Sequence, residues 1–343
     1  MIMVLDNRGN MELKGVKMKG NYKFVFIGLD SIENKYLYGG FDDHSYSTAI
    51  FLPNFCRKVA KAWKIYGNNQ SKIKKTISFL YFDRFIKTKI NKLGWKVDDN
   101  IIFIIYSWDY DSYGHVLTQY LRSRFSNGKL VCYFIDLIKR HNLIIEEVRK
   151  QFDLLVTFDE VEAEKYGMSY CLEPFSMHLL KEFPRNKEFK WDITLVASAK
   201  DRYEQIIKAF ELFTSKGFIC DFHITQVPER KRIYSDKIHY GSLAFEEVLS
   251  HVVQSRCVLE LIQNNAYSPT TRFSEAMLLN RKLLTNAPYF KEKKDIFPNV
   301  IFFENLEEIP FERVENKLNN ISKNYEDFFS EKTMMETILS NLP

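Results

Sequence analysis

Cys257-Val-Leu-Glu-Leu-Ile262 is β-rich, the polar loop Gln263 to Ser268 follows, and Ser268-Pro269-Thr270-Thr271-Arg272 opens a helix that carries Glu275. Ser268 predicts an N-cap and Pro269 suits the first helical position. The hydroxyls of Thr270 and Thr271 and the guanidinium of Arg272 then crowd a helix end whose unpaired N–H groups attract anions. Glu275 follows Thr271 at i, i+4, so the spacing sets a carboxylate about one sugar's length from a phosphate bound there. Diphosphate on the helix end and ribose hydroxyls on the acid would make this a nucleotide site. The same residues also read as an ordinary cap and a solvated glutamate. Context favours the site, because Asn280-Arg-Lys-Leu-Leu-Thr-Asn286 is a short basic turn feeding another strand. The unit is then β-loop-helix-β, with the anion site at the carboxyl end of a strand, where open α/β sheets hold ligands.

Outward from this unit the pattern alternates. Strands are predicted at Tyr22–Leu29, Ile101–Tyr106, Leu130–Ile135 and Leu154–Phe158, then at Ile193–Ala197, Ile219–Ile224 and Ile238–Tyr240. Helices are predicted at about Tyr113–Phe125, Arg202–Ser215 and Phe245–Gln254, with helix-like segments after the Gly39-Gly40 loop. Such alternation implies parallel sheets with crossover helices. Pro174, Pro184 and mixed charge mark a linker between Glu173 and Trp191. The expected architecture is α/β with two Rossmann-like domains facing each other across a cleft. Residues 1–177 form the first domain, 178–313 the second, and 314–343 a helical strap.

The chain of 343 residues, 45% hydrophobic, 15% aromatic and 27% charged, is long enough for two cores and too apolar for a disordered protein. No apolar run approaches the roughly 18–20 residues that cross a bilayer, and Met1–Asn10 has no signal-peptide core, so a cytoplasmic location is expected. Cys56, Cys132, Cys171, Cys220 and Cys257 lack C-x-x-C spacing and read as reduced, buried thiols. The net charge of +5 is mild, but Arg57 to Lys96 carries twelve Lys or Arg against the single acid Asp83, interleaved with Trp63, Ile77, Leu80 and Phe85. That stretch reads as a solvated lysine face, as a surface for anionic membrane, or as a nucleic-acid contact. Membrane contact is the expectation carried forward, with peripheral attachment to the inner face and no nucleic-acid partner.

Several segments resemble the two-Rossmann (GT-B) glycosyltransferases, in particular those of bacterial capsule, exopolysaccharide and lipopolysaccharide synthesis. The resemblance rests on Phe152-Asp153, Thr157-Phe158-Asp159, Glu164-Lys-Tyr-Gly167, Pro174-Phe-Ser176, Lys200-Asp-Arg202, Thr270 to Ala276 and Arg281 to Asn286. It implies that the second domain binds the nucleotide-sugar donor. Lys200 or Arg202, near Ser198, would be the first phosphate ligand; Ser268, Thr270, Thr271 and Arg272 the second cluster; and Glu275 the ribose ligand. Many retaining members carry two glutamates seven residues apart around a glycine-rich loop. Here the loop lacks glycine and Glu260 stands fifteen positions before Glu275, as a strand-end residue. A UDP-sugar is the expected donor, because it is common in such pathways. No metal is expected at the donor, since cations and the helix end neutralise the diphosphate.

The first domain would bind the acceptor, a glycan or a lipid-linked sugar, and supply a general base. Candidates are Asp42, Asp43 and His44 beside Gly39-Gly40, and Asp109 with Asp111 and His115 after the second strand. Asp42 or Asp43 equally reads as a helix cap. His178, His223, His239 and His251 read as structural. Two other functions compete with the transferase: a sugar-nucleotide 2-epimerase on the same architecture, and a non-catalytic glycan- or membrane-binding scaffold.

Overall fold

A computed structural model describes residues 3–5, 11–13, 22–53, 72–113, 115–141, 143–176, 183, 188–264, 266–293, 296–316 and 324–343. The chain forms two compact units. One comprises Leu13–Ser176 with Ser330–Pro343 and Met1–Ile2; the other comprises Met177–Phe329 with Met3–Glu12. The stretch 314–343 therefore divides at Ser330, whose hydroxyl caps the helix Glu331–Asn341 by accepting the Thr333 N–H at 3.2 Å. Strands β1 (Met3–Leu5) and β2 (Met11–Leu13) pair as a small ribbon.

The first unit holds a parallel sheet of β3 (Lys23–Leu29), β4 (Ser47–Leu52), β5 (Ile101–Tyr106), β6 (Lys129–Phe134), β7 (Leu154–Thr157) and β8 (Ser169–Tyr170). The strand order is β4-β3-β5-β6-β7-β8. Its strands are apolar on both faces, as a covered parallel sheet requires. Val25, Ile27, Phe103, Ile105, Cys132 and Phe134 point into one core with Phe82, Ile86, Leu117 and Tyr120 of the flanking helices. Ser47–Leu52, expected within helix-like sequence, is a strand, because it lies along β3 from Phe24↔Ser47 to Leu29↔Leu52. The helix expected over about Tyr113–Phe125 runs His115–Arg124, and a further short helix, Ser107–Tyr113, precedes it directly after β5.

The second unit holds β9 (Trp191–Ser198), β10 (Cys220–Thr225), β11 (Ile238–Tyr240), β12 (Ser255–Glu260), β13 (Lys282–Thr285) and β14 (Val300–Phe302). The order is β11-β10-β9-β12-β13-β14, with every pair parallel. The chain builds outward from β9 to one edge, then returns to add β12, β13 and β14 on the other side. The order thus reverses between β9 and β12, and in the first unit between β3 and β5. Each such reversal leaves a crevice at the carboxyl ends of the two strands.

In the basic stretch, positions 57–71 lie outside the described residues, as do His178 and most of the expected linker. The described part begins with the helix Lys72–Phe82, which exposes Ile77 and Leu80 at i, i+3 while Phe82, Ile86 and Ile90 enter the core. Among the described residues no helix is long and apolar enough to cross a membrane.

Candidate functional site

The second unit's switch point is cross-braced by side chains. Ser198, the last residue of β9, shares a hydroxyl–hydroxyl bond of 2.9 Å with Thr225 at the end of β10. The chain then turns through Lys200, whose φ of 45° is a left-handed conformation that disfavours a side chain. Arg202 stands at the head of the helix Tyr203–Ser215 and donates to the Leu261 carbonyl beyond β12 and, at 3.4 Å, to that of Ser198. Its guanidinium therefore ties the two switch strands together. Lys200 is exposed beside it.

Glu260, at the end of β12, is buried and organises the loop that follows. One carboxylate oxygen accepts both the N–H and the hydroxyl of Thr270, each at 2.7 Å, and the other accepts the Thr285 hydroxyl at 2.7 Å. Burial raises this carboxyl above its ordinary range, and the bonds from Thr285 and Thr270 and the charge of Arg202 oppose the rise. Held in this way, Thr270 is the N-cap: its Oγ1 accepts the Arg272 N–H at 3.3 Å, and the helix runs Thr271–Leu278. The cap expected at Ser268 thus falls two residues later, and Ser268 is buried ahead of the helix. Tertiary hydrogen bonding to Glu260 overrides the local preference of a Ser-Pro pair.

Glu275 is fully buried rather than solvated, and it forms an ion pair with Arg272 at i, i+3. Guanidinium, carboxylate and the helix N-terminus are thereby gathered in one turn. The basic turn after the helix has another role. Arg281 is 1% exposed and donates to the Val252 and Val253 carbonyls, while Lys282 donates to those of Arg313, Val314 and Asn316. Both satisfy carbonyls at helix ends.

At the switch point of the first unit, Asp109 lies in the first turn of the helix after β5, wholly buried, and its Oδ2 accepts the Leu29 N–H at 3.2 Å. A side chain at Gly28 would come within 2.8 Å of Phe26 and 3.5 Å of that carboxylate, so glycine allows the close approach. Tyr38 stacks on Phe26 at 3.9 Å and donates to Glu173 at 2.6 Å. Burial first, and then the Glu173 charge, holds the Tyr38 phenol well above its usual range. His115 is exposed, with Tyr110 edge-on at 6.3 Å; nothing is described of the Asp111 side chain.

Of the other base candidates, Asp42 and Asp43 sit on the turn Gly39–Asp43 and His44 follows it in extended conformation. Asp42 accepts the Thr48 hydroxyl and the Ala49 N–H at 3.2 Å and pairs with Lys89 at 3.5 Å, which anchors the start of β4. His44 stacks on Tyr46 at 5.3 Å. The acid that sequence reasoning missed is Glu331. It is 4% exposed, with its carboxylate against Gly40 and near Asp43. Burial, with a contribution from the Asp43 charge, pushes its carboxyl up to about 7 despite a bond from Ser176. Oε1 has no hydrogen-bond partner among the described residues. The only local signal is a first-turn acid after the Ser330 cap, which carries no hint of its distant neighbours.

No protein-family model matches the sequence, and no curated protein matches it significantly. Among solved structures, the chain is similar to an α-glucosyltransferase in complex with UDP-glucose and DNA containing an abasic site. The TM-score is 0.51 at 12% identity, over 92% of this chain and 95% of that one. An α-glucosyltransferase with UDP and a 13-mer DNA containing a HMU base aligns at 0.49 and 12% identity, over the same shares. A UDP-forming trehalose-phosphate synthase from Burkholderia xenovorans aligns at 0.43 and 9% identity, over 94% and 96%. The first likeness, with the two parallel six-stranded sheets, shows the two-Rossmann (GT-B) fold. It also corrects the expectation that nucleic acid is no partner, since a protein of this fold is solved there with DNA bound.

Proposed function

We propose that this chain is a glycosyltransferase that takes a sugar from a UDP-sugar bound at the β9–β12 switch point. One observation carries the reading: Glu260 fixes the Thr270 cap so that Arg272, Glu275 and the helix N-terminus meet in one turn at the carboxyl end of β12. Departure of a nucleoside diphosphate builds negative charge on its oxygens, and fixed N–H dipoles and cations stabilise that charge. Arg272 and Lys200 would carry this role. Arg202, bonded to two main-chain carbonyls, holds the strands in place, and Ser198 braces the turn. Glu275 would take the ribose hydroxyls with the oxygen that does not face Arg272.

On the acceptor side, Asp109 and Glu331 are the proposed acids, and a carboxyl near 7 suits proton abstraction at neutral pH. The proposed acceptor is a glycan or lipid-linked sugar of bacterial surface polysaccharide. The exposed Ile77 and Leu80, with Arg84 on the same helical face, support a peripheral membrane contact. The DNA in the similar α-glucosyltransferase favours a second reading, in which the acceptor hydroxyl lies on a nucleic acid.

The test is thermal unfolding against free nucleoside diphosphates, followed by turnover of the UDP-sugar with lipid-linked, glycan and duplex DNA acceptors. A UDP shift that disappears in Glu275→Ala supports the donor site. Consumption without any acceptor would point to the epimerase, and no shift with any nucleotide would leave the scaffold.

A further inference from the structure

The face of the second sheet opposite the Tyr203–Ser215 helix carries a cluster that the donor site does not use. Asp221 and His223 alternate along β10, His239 pairs with His223 across the β10–β11 register, and His251 reaches in from the helix Phe245–Val253. His223 Nε2 lies 2.9 Å from one Asp221 oxygen. The other oxygen takes the Thr194 hydroxyl at 3.0 Å and His251 Nδ1 at 2.7 Å. The rings of His223 and His239 stack at 4.6 Å, and Trp191 backs His251 at 4.9 Å. Burial would raise the Asp221 carboxyl, but hydrogen bonds from His223 and His251 hold it below its ordinary value.

We infer that Asp221, His223 and His239 form a binding site for a divalent transition ion of the zinc class. One ligand atom from each lies within 4.8 Å of the others. Bonds of about 2.0–2.1 Å to one tetrahedral ion set its ligands roughly 3.3 Å apart, so small side-chain rotations close the site. Two imidazoles and a carboxylate match zinc, cobalt or nickel rather than calcium or magnesium. Thr194 and His251 orient the carboxylate from behind, as the outer partners of metal ligands do. His239 is exposed, and with His223 it lines a pocket of about 400 Å³ that also includes Ser235, Tyr240 and Gly241. That pocket gives the ion a way in and leaves a fourth position open.

His223 lies in register with Val196, two residues before Ser198, and none of the three ligands is among the residues assigned to the proposed donor site.

The experiment is equilibrium dialysis of the chelator-stripped full chain against Zn²⁺ at pH 7.5, with His239→Ala and His223→Gln in parallel and Co²⁺ absorption as a second readout. One ion per chain is expected, with a visible Co²⁺ spectrum of tetrahedral type and at least a tenfold loss of affinity in His239→Ala. His239 is exposed on an edge strand, so its removal should leave the unfolding transition intact. Failure of Zn²⁺ to bind in the micromolar range, or equal affinity in His239→Ala, would overturn the site.

Discussion

At the crevice between β9 and β12, Lys200, Arg202 and Arg272 stand around Glu260, Glu275 and a helix N-terminus. At the crevice between β3 and β5, Gly28 makes room for buried Asp109, and Tyr38, Tyr106 and Glu173 lie nearby. Both arise from the same topological event, a reversal in the order of parallel strands. Topology therefore explains where each crevice lies and says nothing of what fills it. Fixed cations and N–H dipoles favour an anion in the second unit, and buried carboxyls suit proton chemistry in the first.

The sharpest way to break this contrast is to disable each crevice separately. Arg272→Ala is expected to lower turnover by about 10²–10³-fold, about 3–4 kcal/mol, and to abolish the UDP-dependent thermal shift. Asp109→Asn keeps the hydrogen bond to Leu29 and is expected to lower turnover while leaving UDP binding unchanged. Equal loss of UDP binding in both variants would sink the division of labour.

How far the sequence reveals each crevice follows from how local its cause is. Strands β9 to β13 are legible because their apolar runs and turn residues are contiguous, β14 is absent from the strands the sequence predicts, and the β12–helix–β13 unit needs only neighbouring residues. The cap is misplaced by two residues because Glu260 selects Thr270 through bonds that span ten positions. Arg281 and Lys282 read as a basic surface turn, yet the carbonyls they satisfy come from helices remote in sequence. In the first unit Glu331 is invisible for the same reason, since Gly40 and Asp43 become its neighbours only on folding. The histidine cluster likewise exists only once β10 and β11 pair in register.

Glu331 gives the next largest expected effect and a definite sign. Its carboxyl titrates near 7 in the folded chain against 4.5 ordinarily, so between those values the folded state holds more protons than the unfolded one. Stability contributed by the protonated form is then lost as pH rises from about 4.5 to 7, by up to about 3 kcal/mol. Glu331→Gln should flatten that slope and be more stable than the parent at pH 8, measured by denaturant midpoints at pH 5 and pH 8. An unchanged slope would mean that Glu331 is not the titrating group. Gly40→Ala should cost about 1–3 kcal/mol by driving a methyl group into the Glu331 carboxylate. In a Glu331→Ala background most of that cost should vanish, and a cost that persists would place the strain elsewhere.

The smallest effect sharpens the contrast most, because stability and binding should move in opposite directions. Lys200 holds a left-handed φ of 45°, a conformation that glycine adopts without a steric penalty. Lys200→Gly is therefore expected to raise unfolding stability by up to about 1 kcal/mol, offset in part by the greater freedom of glycine in the unfolded chain. If the side chain is a diphosphate ligand, the same variant should bind UDP about tenfold more weakly, while Lys200→Ala should bind as weakly and be no more stable than the parent. Strain kept at a binding turn in exchange for a placed cation would account for both results. A Lys200→Gly protein that is more stable and binds UDP as before would instead make the turn a conformational accident, with Arg272 and the helix end carrying the anion alone.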